Sequence, residues 1–570
     1  MDFAELDAIA EEYCRPGGQP GLAYGVVRDG ELVHSGGFGQ RFLDGPAPDA
    51  DTVFGISSMT KSLTASAILL LRDEGLLGLD DPAEQYVPQL RGWPPVTADS
   101  ARVTLRNLLT MTSGLPTDDP WGDRQQGLPL DDFAALLAGG VSFAWAPDTT
   151  FEYSSLGYAI LGRVITAVSG LAYPEFIGQR LLKPLGLTHT GYQAGEFAAG
   201  DLALGYHPGA AGWAEVAIEP CGAFAPIGGA FSSVRDLARW VAGFLAVFPP
   251  GSAAVLDHPV GAASRRQMQL PQVFAGTSPA FPAGGFPISY GYGLFIDQDT
   301  ALGRIIHHPG GYPGFGSHMR WHPATGTGVI ALANSTYATP YPLTVQLLET
   351  IVRQDKTSHA ASGPALAPRA EPWPETVAAR TAVNRLLRDW DDTEADRLCS
   401  PNVALDAPYS ARRRAIELIR ERIGAFGEDP DRPAQYDSAA HCRWWLRGEH
   451  GTVQAQLLLN PEKPPRVQAL SLTVPPAAGS PLADGLARVI DWLNGGEPVP
   501  AGSGLDASVA ARRVRSAAAW AGTCRPGAYR AGDGSSSVTV ELTGEHASLT
   551  LAIIVDPATG LLHRLDITGG

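Results

Sequence analysis

The sequence is poor in cysteine and has no uninterrupted hydrophobic run of membrane-spanning length. Five cysteines in 570 residues form neither an even framework nor a Cys-x-x-Cys pair, which excludes a disulfide-stapled scaffold and predicts reduced, mostly buried thiols. The cysteines are Cys14, Cys221, Cys399, Cys442 and Cys524. The longest apolar stretches, such as residues 240–256, are broken by Gly or Pro and fall short of the ~20 residues that cross a bilayer.

Positive charge is also scarce. The 59 acidic and 42 basic residues leave a formal net charge of −17, which argues against a nucleic-acid binder, because such a protein needs a basic face to displace counterions from phosphate. The same charge argues against adhesion to anionic membranes. Residues 1–14 are acidic and amphipathic and lack the basic segment and apolar run of a secretory signal. We therefore expect a cytoplasmic protein.

The overall composition, with 44% hydrophobic and 18% charged residues, is typical of a folded globular protein. The length favours three or four domains at roughly 150 residues each. Residues 1–355 mix strand-like and helix-like patterns and are interpreted as one domain. An Ala-, Pro- and Ser-rich segment over 356–374 predicts a linker.

Two local patterns stand out in the first domain. Residues 22–28 and 31–35 flank the dipeptide Asp29-Gly30, which predicts a hairpin of two strands around a tight turn. Apolar residues at helical spacing over 62–73 predict a helix.

Beyond the linker the sequence repeats itself at an offset of about 100 residues, which predicts two tandem α+β domains over 375–473 and 481–570, separated by 474–480. The matching segments are 405–407 with 505–507, 411–413 with 511–513, 448–450 with 544–546, 457–459 with 553–555, and 470–473 with 565–568. The order of helices followed by strands is similar to the nuclear-transport-factor-2/SnoaL-like cone, with a small antiparallel barrel as the alternative. For His450 and His546, at equivalent positions, we expect a turn or packing role.

The motif Ser58-x-x-Lys61 runs straight into the predicted helix, where residues three apart lie on one face. A serine hydroxyl becomes a nucleophile when a base takes its proton, and a lysine serves as that base when its surroundings lower its pKa. Backbone N–H groups at a helix start also stabilise an oxyanion. The motif alone is common, and a capped helix with an exposed lysine is the alternative interpretation.

Two further segments extend the pattern. Tyr153-Ser154-Ser155 supplies a phenol able to relay a proton, with a half-buried aromatic as the alternative. The glycine-rich segment that begins at His308 lets the backbone approach a ligand closely and offers a second oxyanion N–H. We expect no cofactor and no metal, because no acidic ligand or His-Glu-x-x-His motif accompanies the nearby histidines. These are His307, His308, His318 and His322.

The order Ser-x-x-Lys, Tyr-x-Ser, His-x-Gly resembles the penicillin-recognising serine hydrolases, the class C β-lactamases, D-Ala-D-Ala carboxypeptidases, D-aminopeptidases and family VIII carboxylesterases. The resemblance extends from about residue 5 to 352 and includes further similar segments. These are 79–82, 103–115, 183–187 and 228–237. It implies an α/β (α+β) fold in which an antiparallel sheet is flanked by helices and joined by a helical subdomain.

The resemblance also implies roles for individual residues. Ser58 corresponds to the acylated nucleophile, and Lys61 and Tyr153 share the general-base and general-acid work. His308 lies on the strand beside the site, where relatives have Lys or His. The backbone N–H groups of Ser58 and Gly311 form the oxyanion hole.

Two positions depart from the β-lactamase pattern and affect specificity. Ser155 stands where those enzymes usually have Asn, and His308 stands in place of a Lys that would meet a substrate carboxylate, so that the cation is weaker at neutral pH. Both departures favour the esterase, amidase and aminopeptidase-like branches. Ser155 and Gly310 are predicted to contact substrate, and Met111, where many relatives have His, has no interpretation from the sequence.

An acidic segment over 117–125 follows the Ser-Gly-Leu turn, in a region that borders the cleft of relatives. Its acids, Asp118, Asp119 and Asp123, are predicted to meet a substrate ammonium, and Trp121 to pack on an apolar chain. Salt bridges of these acids to Arg124 are the alternative.

The leading hypothesis is a serine hydrolase that cleaves an amide or ester through an acyl-serine. Its partner would be a small-molecule or short-peptide substrate, such as a D-amino-acid-containing peptide, an amide or a small ester, with no nucleic acid and no membrane. A homo-oligomer is left open. An acyltransferase or peptide cyclase using the same acyl-enzyme is the first alternative, and a non-catalytic penicillin-binding-like sensor is the second.

Overall fold

The computed structural model describes residues 2–14, 19–198, 200–209, 212–248, 258–277, 286–299, 302–358, 372–500, 507–545 and 548–569. The chain divides into two compact units, and the second contains the described residues from 372 onward. Of the predicted linker, residues 359–371 lie outside the described residues. The domain boundaries within the second unit stay predictions.

The first unit contains helices and strands that alternate irregularly along the chain. Its helices are α1 (Phe3–Tyr13), α2 (Thr60–Asp73), α3 (Leu105–Leu109), α4 (Asp119–Gly122), α5 (Leu130–Ala138), α6 (Ser155–Ser169), α7 (Tyr173–Ile177), α8 (Lys183–Leu185), α9 (Ala225–Gly228), α10 (Val234–Leu245), α11 (Ala262–Met268) and α12 (Tyr341–Ser358). Its strands are β1 (Gly21–Arg28), β2 (Glu31–Gly39), β3 (Val53–Gly55), β4 (Gly205–Gly209), β5 (Gly212–Val216), β6 (Phe231–Ser233), β7 (Val273–Thr277), β8 (Pro287–Tyr290), β9 (Phe295–Asp299), β10 (Gly303–Tyr312), β11 (Phe315–His322) and β12 (Thr327–Ala333).

An eight-stranded sheet forms the centre of this unit, in the order β2-β1-β12-β11-β10-β9-β8-β7. Each pair of neighbours in it is antiparallel. Alternate side chains point to opposite faces of a strand, so Ile305 of β10 packs in the cluster with α1 and α12, while Ile306 packs in the large cluster with α2 and α10. The same alternation sends His307 and His308 to opposite faces.

The two local patterns read from the sequence have clear structural counterparts. Asp29 and Gly30 both have positive φ values, 51° and 86°, as a tight turn between twisted antiparallel strands requires, and they join β1 to β2. The helix predicted over 62–73 is α2, whose residues Thr60–Leu71 are all buried. The functional motif therefore starts a helix that lies inside the core.

The second unit has helices and antiparallel sheets of its own. Its helices are α13 (Pro374–Arg388), α14 (Asp392–Leu398), α15 (Asn402–Asp406), α16 (Tyr409–Ile423), α17 (Pro481–Leu493) and α18 (Ala507–Ala521). Its strands are β13 (Gly427–Glu428), β14 (Gln435–Ser438), β15 (His441–Gly448), β16 (Gly451–Leu459), β17 (Val467–Thr473), β18 (Arg525–Gly532), β19 (Ser537–Thr543), β20 (Ser548–Val555) and β21 (Leu562–Gly569).

Each predicted repeat of the second unit has helices followed by a sheet and a hydrophobic core. The sheet of the first repeat has the order β13-β15-β16-β17 with β14 on β15, and that of the second has the order β18-β19-β20-β21. Separate buried clusters lie in the two repeats. His450 is 67% exposed in the turn between β15 and β16, and His546 lies outside the described residues.

These features confirm the predicted fold class, an antiparallel sheet flanked by helices and followed by small sheet domains. Within the described ranges, no single helix is long and apolar enough to cross a bilayer, and one pair, Ser155–Ser169 with Tyr173–Leu185, meets the criterion only jointly across a 73° bend.

Candidate active site

Ser58 lies in a short 3-10 turn, Ser57–Met59, that leads directly into α2. The preceding residue, Ser57, has φ of +51°, a left-handed conformation that costs a residue with a side chain about 1 kcal/mol or more. Ser57 is also buried, and its Oγ has no hydrogen-bond partner within the described part of the chain. The turn that presents Ser58 is therefore held in a strained backbone by its surroundings.

Lys61 is fully buried in the first turn of α2. Its Nζ lies 3.0 Å from Ser58 Oγ, 3.2 Å from Ser155 Oγ and 3.1 Å from the carbonyl oxygen of Ile227. Burial lowers the pKa of Lys61, and the carboxylates of nearby aspartates oppose part of that effect. A lysine with a lowered pKa beside a serine hydroxyl is chemically able to take its proton.

Tyr153 lies close to the lysine. Lys61 Nζ is 4.9 Å from the centre of its ring. Met111 fixes this segment, because its carbonyl accepts from Glu152 N–H and its Sδ lies 3.4 Å from the backbone nitrogen of Ser154. Burial raises the pKa of Tyr153 well above its ordinary value, and the charge of Asp119 adds to the rise, so the phenol is protonated at neutral pH.

The glycine-rich segment is the end of β10, and it runs beside the Ser57–Met59 turn. A Cβ added at Gly310 would lie 2.2 Å from Ser317 Oγ and 2.4 Å from the carbonyl oxygen of Ile56, so only glycine allows this approach. The pairing of β10 with β9 extends from Gly303 to His307. The following residues, including Gly311, continue past β9 while still pairing with β11.

His308 is fully buried behind Tyr153, with its ring centre 6.3 Å from that of the tyrosine. Its Nδ1 donates to the carbonyl of Pro309 at 2.6 Å, so its Nε2 accepts from the Tyr290 hydroxyl at 3.3 Å. Burial lowers the pKa of His308 to about 3, and the neighbouring Lys61 charge contributes. His308 is consequently a neutral imidazole at pH 7.

The acidic segment forms the short helix α4 and the turn after it, next to the start of α6. Asp118 accepts hydrogen bonds from the backbone N–H groups of Ser155 and Leu156, at 2.6 and 2.8 Å, and so caps α6 from a distant part of the chain. Asp119 Oδ1 accepts from Ser155 Oγ at 2.8 Å. Trp121 is 41% exposed and packs edge-on against Phe224.

Asp123 is only 4% exposed and accepts a hydrogen bond from the Tyr337 hydroxyl at 3.0 Å. Burial raises the pKa of Asp123 to about 7. Tyr337 has φ of +51°, and its ring covers Gly311, where an added Cβ would lie 3.1 Å from Tyr337 Cδ1. A strained aromatic residue thus joins the acidic segment to the end of β10.

The other histidines of β10 and β11, which are His307, His318 and His322, lie on the face of the sheet opposite His308. His307 lies 3.2 Å from both Asp297 and His318, and His318 in turn hydrogen-bonds Thr344 of α12. In the ranges that the structure describes, no group of three or more His, Cys, Asp or Glu residues is arranged to hold a metal ion.

Comparisons with known proteins identify the family of this chain. The beta-lactamase family model matches residues 6–348. The chain is 27% identical over 366 residues to Protein flp of Staphylococcus aureus (strain COL), covering 63% of this chain and 68% of that protein. It is 26% identical over 340 residues to Penicillin-binding protein 4* of Bacillus subtilis (strain 168), covering 55% of this chain and 68% of that protein. This chain belongs to the beta-lactamase family.

A solved structure extends the likeness in fold to the whole chain. The octameric penicillin-binding protein homologue from Pyrococcus abyssi matches with a TM-score of 0.53 at 19% identity, covering 100% of this chain and 99% of that one. The beta-lactamase family carries serine hydrolase or acyl-transfer chemistry, and in this member Lys61 Nζ lies 3.0 Å from Ser58 Oγ and 4.9 Å from the centre of the Tyr153 ring.

Sequence reasoning missed several groups in this beta-lactamase family site. The Ile227 carbonyl left no signal, because a backbone oxygen is independent of residue type, although Ile227 immediately precedes the 228–237 segment noted for its resemblance. Tyr290, Tyr337 and the strained Ser57 were missed as well. Their roles depend on contacts between segments far apart in the chain.

Proposed function

We propose that this protein is a serine hydrolase that cleaves an amide or ester bond through an acyl-serine intermediate on Ser58. The observation that carries the proposal is the buried Lys61 Nζ, 3.0 Å from Ser58 Oγ. Lys61 takes the Ser58 proton as the oxygen attacks the carbonyl, Tyr153 passes a proton to the leaving group, and the Lys61 ammonium then returns a proton to the Tyr153 phenolate. The lowered pKa of Lys61 and the raised pKa of Tyr153 support this division of roles.

The proposed oxyanion hole consists of the N–H groups of Ser58 and Gly311. Ser58 lies at the start of a helical segment, where N–H groups lack a partner within the segment. The glycine-rich end of β10 runs beside that turn. Two fixed donors aimed at a developing oxyanion lower the barrier to acyl transfer.

The substrate class we propose is a D-amino-acid-containing peptide or amide, or a small ester. The neutral His308 favours the members of this class that bring no carboxylate to the site, because a buried imidazole with its pKa at about 3 offers no cation to a β-lactam or peptide carboxylate. Trp121, Asp123, Ser155 and Gly310 stay predicted substrate contacts. The cytoplasmic location stays a prediction, and the octameric Pyrococcus homologue supports a homo-oligomer.

The test is the intact mass of the protein after brief incubation with p-nitrophenyl butyrate, with nitrophenol release measured in the same tube. We expect a gain of one butyryl group, or nitrophenol release where deacylation is fast, and we expect neither in Ser58→Ala. Release that is unchanged in Ser58→Ala would remove Ser58 from the mechanism. Neither adduct nor Ser58-dependent release in the native protein would contradict the hydrolase proposal.

A further inference from the structure

The lysine at the site must present a lone pair, and not an N–H, to the serine. A neutral amine has two N–H donors and one lone pair, and Lys61 has three oxygen partners. The carbonyl of Ile227 can only accept, so it takes one N–H. The orientation of Lys61 is then decided by Ser155, whose hydroxyl is able either to donate or to accept.

Asp119 determines whether the Ser155 hydroxyl donates to Lys61 or accepts from it. The Ser155 hydroxyl has one hydrogen, and its Oγ lies 2.8 Å from Asp119 Oδ1, a carboxylate oxygen that accepts and does not donate. With its hydrogen committed to Asp119, Ser155 Oγ has only lone pairs for Lys61, 3.2 Å away. Both N–H groups of the neutral amine are thereby used, and its lone pair faces Ser58 Oγ.

We infer that Asp119 is a positioning residue, which acts through Ser155 to hold Lys61 with its lone pair on Ser58. The inference rests on the proposed function and differs from the sequence prediction that Asp119 meets a substrate ammonium. It also explains how a serine serves at the position where β-lactamases usually have Asn. The Asp119–Ser155 pair supplies the fixed acceptor that a lone serine hydroxyl does not.

The first test uses p-nitrophenyl butyrate, a neutral ester without an ammonium group. We expect Asp119→Asn to lower kcat about ten- to hundred-fold, a part of the 10²–10⁴ that a general base contributes, with little change in KM. In the variant the Asn amide can donate to Ser155, which frees the serine hydroxyl to compete for the lysine lone pair. The matched control is Asp131→Asn, an exposed acid at the start of α5, which we expect to leave kcat unchanged.

The pH profile separates positioning from loss of structure. Lys61 is faced by the carboxylates of Asp118, Asp119 and Asp123, the phenols of Tyr153 and Tyr158, and the His308 imidazole. Removing the Asp119 charge destabilises the ammonium, so the pKa of Lys61 falls and the acid limb of kcat/KM moves to lower pH. Ser155→Ala keeps that charge, and we expect it to lower kcat with a smaller movement of the limb.

A double-mutant cycle completes the test. If Asp119 acts through Ser155, Asp119→Asn has little further effect on kcat in the Ser155→Ala background. An Asp119→Asn protein with native kcat, a Ser155→Ala protein with native kcat, or losses that multiply in the double variant would each overturn the inference. A rise in KM confined to amine-bearing substrates would overturn it in favour of an ammonium contact. If the native protein showed no Ser58-dependent release of nitrophenol, that result would instead contradict the proposed function.

Discussion

Two of the basic side chains buried in the first unit, Arg320 and Lys61, have different kinds of partner. Arg320, 3% exposed, contacts the buried carboxylate of Asp297 directly at 3.1 Å, and His307 bonds the other oxygen of that carboxylate at 3.2 Å. Lys61, fully buried, has three uncharged oxygen atoms as its hydrogen-bond partners in the described part of the chain, and its link to the Asp119 carboxylate runs through Ser155.

The difference follows from what each group must do. A direct counterion stabilises a buried charge and fixes its protonation state. Burial opposes the ionisation of Asp297, but His307 and Arg320 outweigh it and hold the pKa of that carboxyl below its ordinary value. Oxygen atoms of hydroxyl and carbonyl groups accept from an amine as well as from an ammonium, so Lys61 can change its protonation state without losing its partners.

The largest expected effect is at Lys61. We expect Lys61→Met to lower kcat for p-nitrophenyl butyrate about 10²- to 10⁴-fold, because the general base is lost. Stability is expected to hold or rise, since an apolar side chain of similar length replaces a desolvated amine. Steady-state kinetics measures the effect on kcat, and urea unfolding measures the effect on stability. A variant with a lower free energy of unfolding but native kcat in its folded fraction would give Lys61 a structural role and no catalytic one.

The opposite result is expected at Asp297. Asp297→Asn leaves the Arg320 charge buried without its counterion, and we expect a loss of about 3–5 kcal/mol in the free energy of unfolding. The kcat of the folded fraction should stay near native, because this network lies on the other face of the sheet from Ser58. Asp299→Asn, the same exchange at the less buried end of β9, is the control and should cost less. An Asp297→Asn protein with a lowered kcat and native stability would contradict the contrast between a structural Asp297 and a catalytic Lys61.

The smallest effect concerns pH and His308, whose pKa burial lowers to about 3. The unfolded chain takes up a proton near its ordinary pKa of about 6.5, whereas the folded protein does not until about pH 3. His308 therefore adds a loss of stability as pH falls below about 6.5. Below about pH 6.5, the free energy of unfolding of His308→Gln should therefore fall less steeply than that of the native protein, by about 1.4 kcal/mol per pH unit. Urea midpoints at pH 7.5 and 5 measure this difference.

The titration of Asp123 changes the stability with pH in the opposite direction to that of His308. The effect of His308 must therefore be measured as a difference between a variant and the native protein. The pKa of Asp123 is raised to about 7 in the folded state, so stability falls as pH rises from about 4 to 7. The measured quantity is therefore the difference between His308→Gln and the native protein at each pH. The exposed His450→Gln serves as the control for losing a histidine. Equal pH slopes in the native protein and His308→Gln would show that His308 takes up its proton in the folded state.

The predictable part of the fold consisted of features with a short range in the chain. The β1–β2 hairpin and the α2 helix follow from the turn dipeptide and the apolar spacing, and the structure confirms both. The proximity of Ser58 to Lys61 also follows, since three residues make nearly one helical turn. Tyr153 and His308 were connected to them only by the family resemblance, because no local rule places residues nearly 100 and 250 positions away beside a serine.

The partners of the site residues were not predictable in the same way. The sequence predicts Ser155 and Asp119 as substrate contacts, whereas the structure places Ser155 on Lys61 and Asp119 on Ser155. Asp118 caps a helix that begins 37 residues later. Such pairings depend on how loop 117–125 packs against α6, and a hydroxyl or carboxylate carries no sign of its partner in the residue itself.

The sequence by itself determined the composition class, the local elements, the order of the three motifs and the chemical types available at the site. Only the tertiary structure decided which groups are buried, which oxygen atoms meet Lys61 and which face of β10 each of its adjacent histidines occupies. The physical reason is that covalent spacing fixes contacts within a turn or a hairpin, whereas the pKa of a lysine and the direction of a hydroxyl depend on solvent exclusion and on neighbours that the folded chain brings from elsewhere.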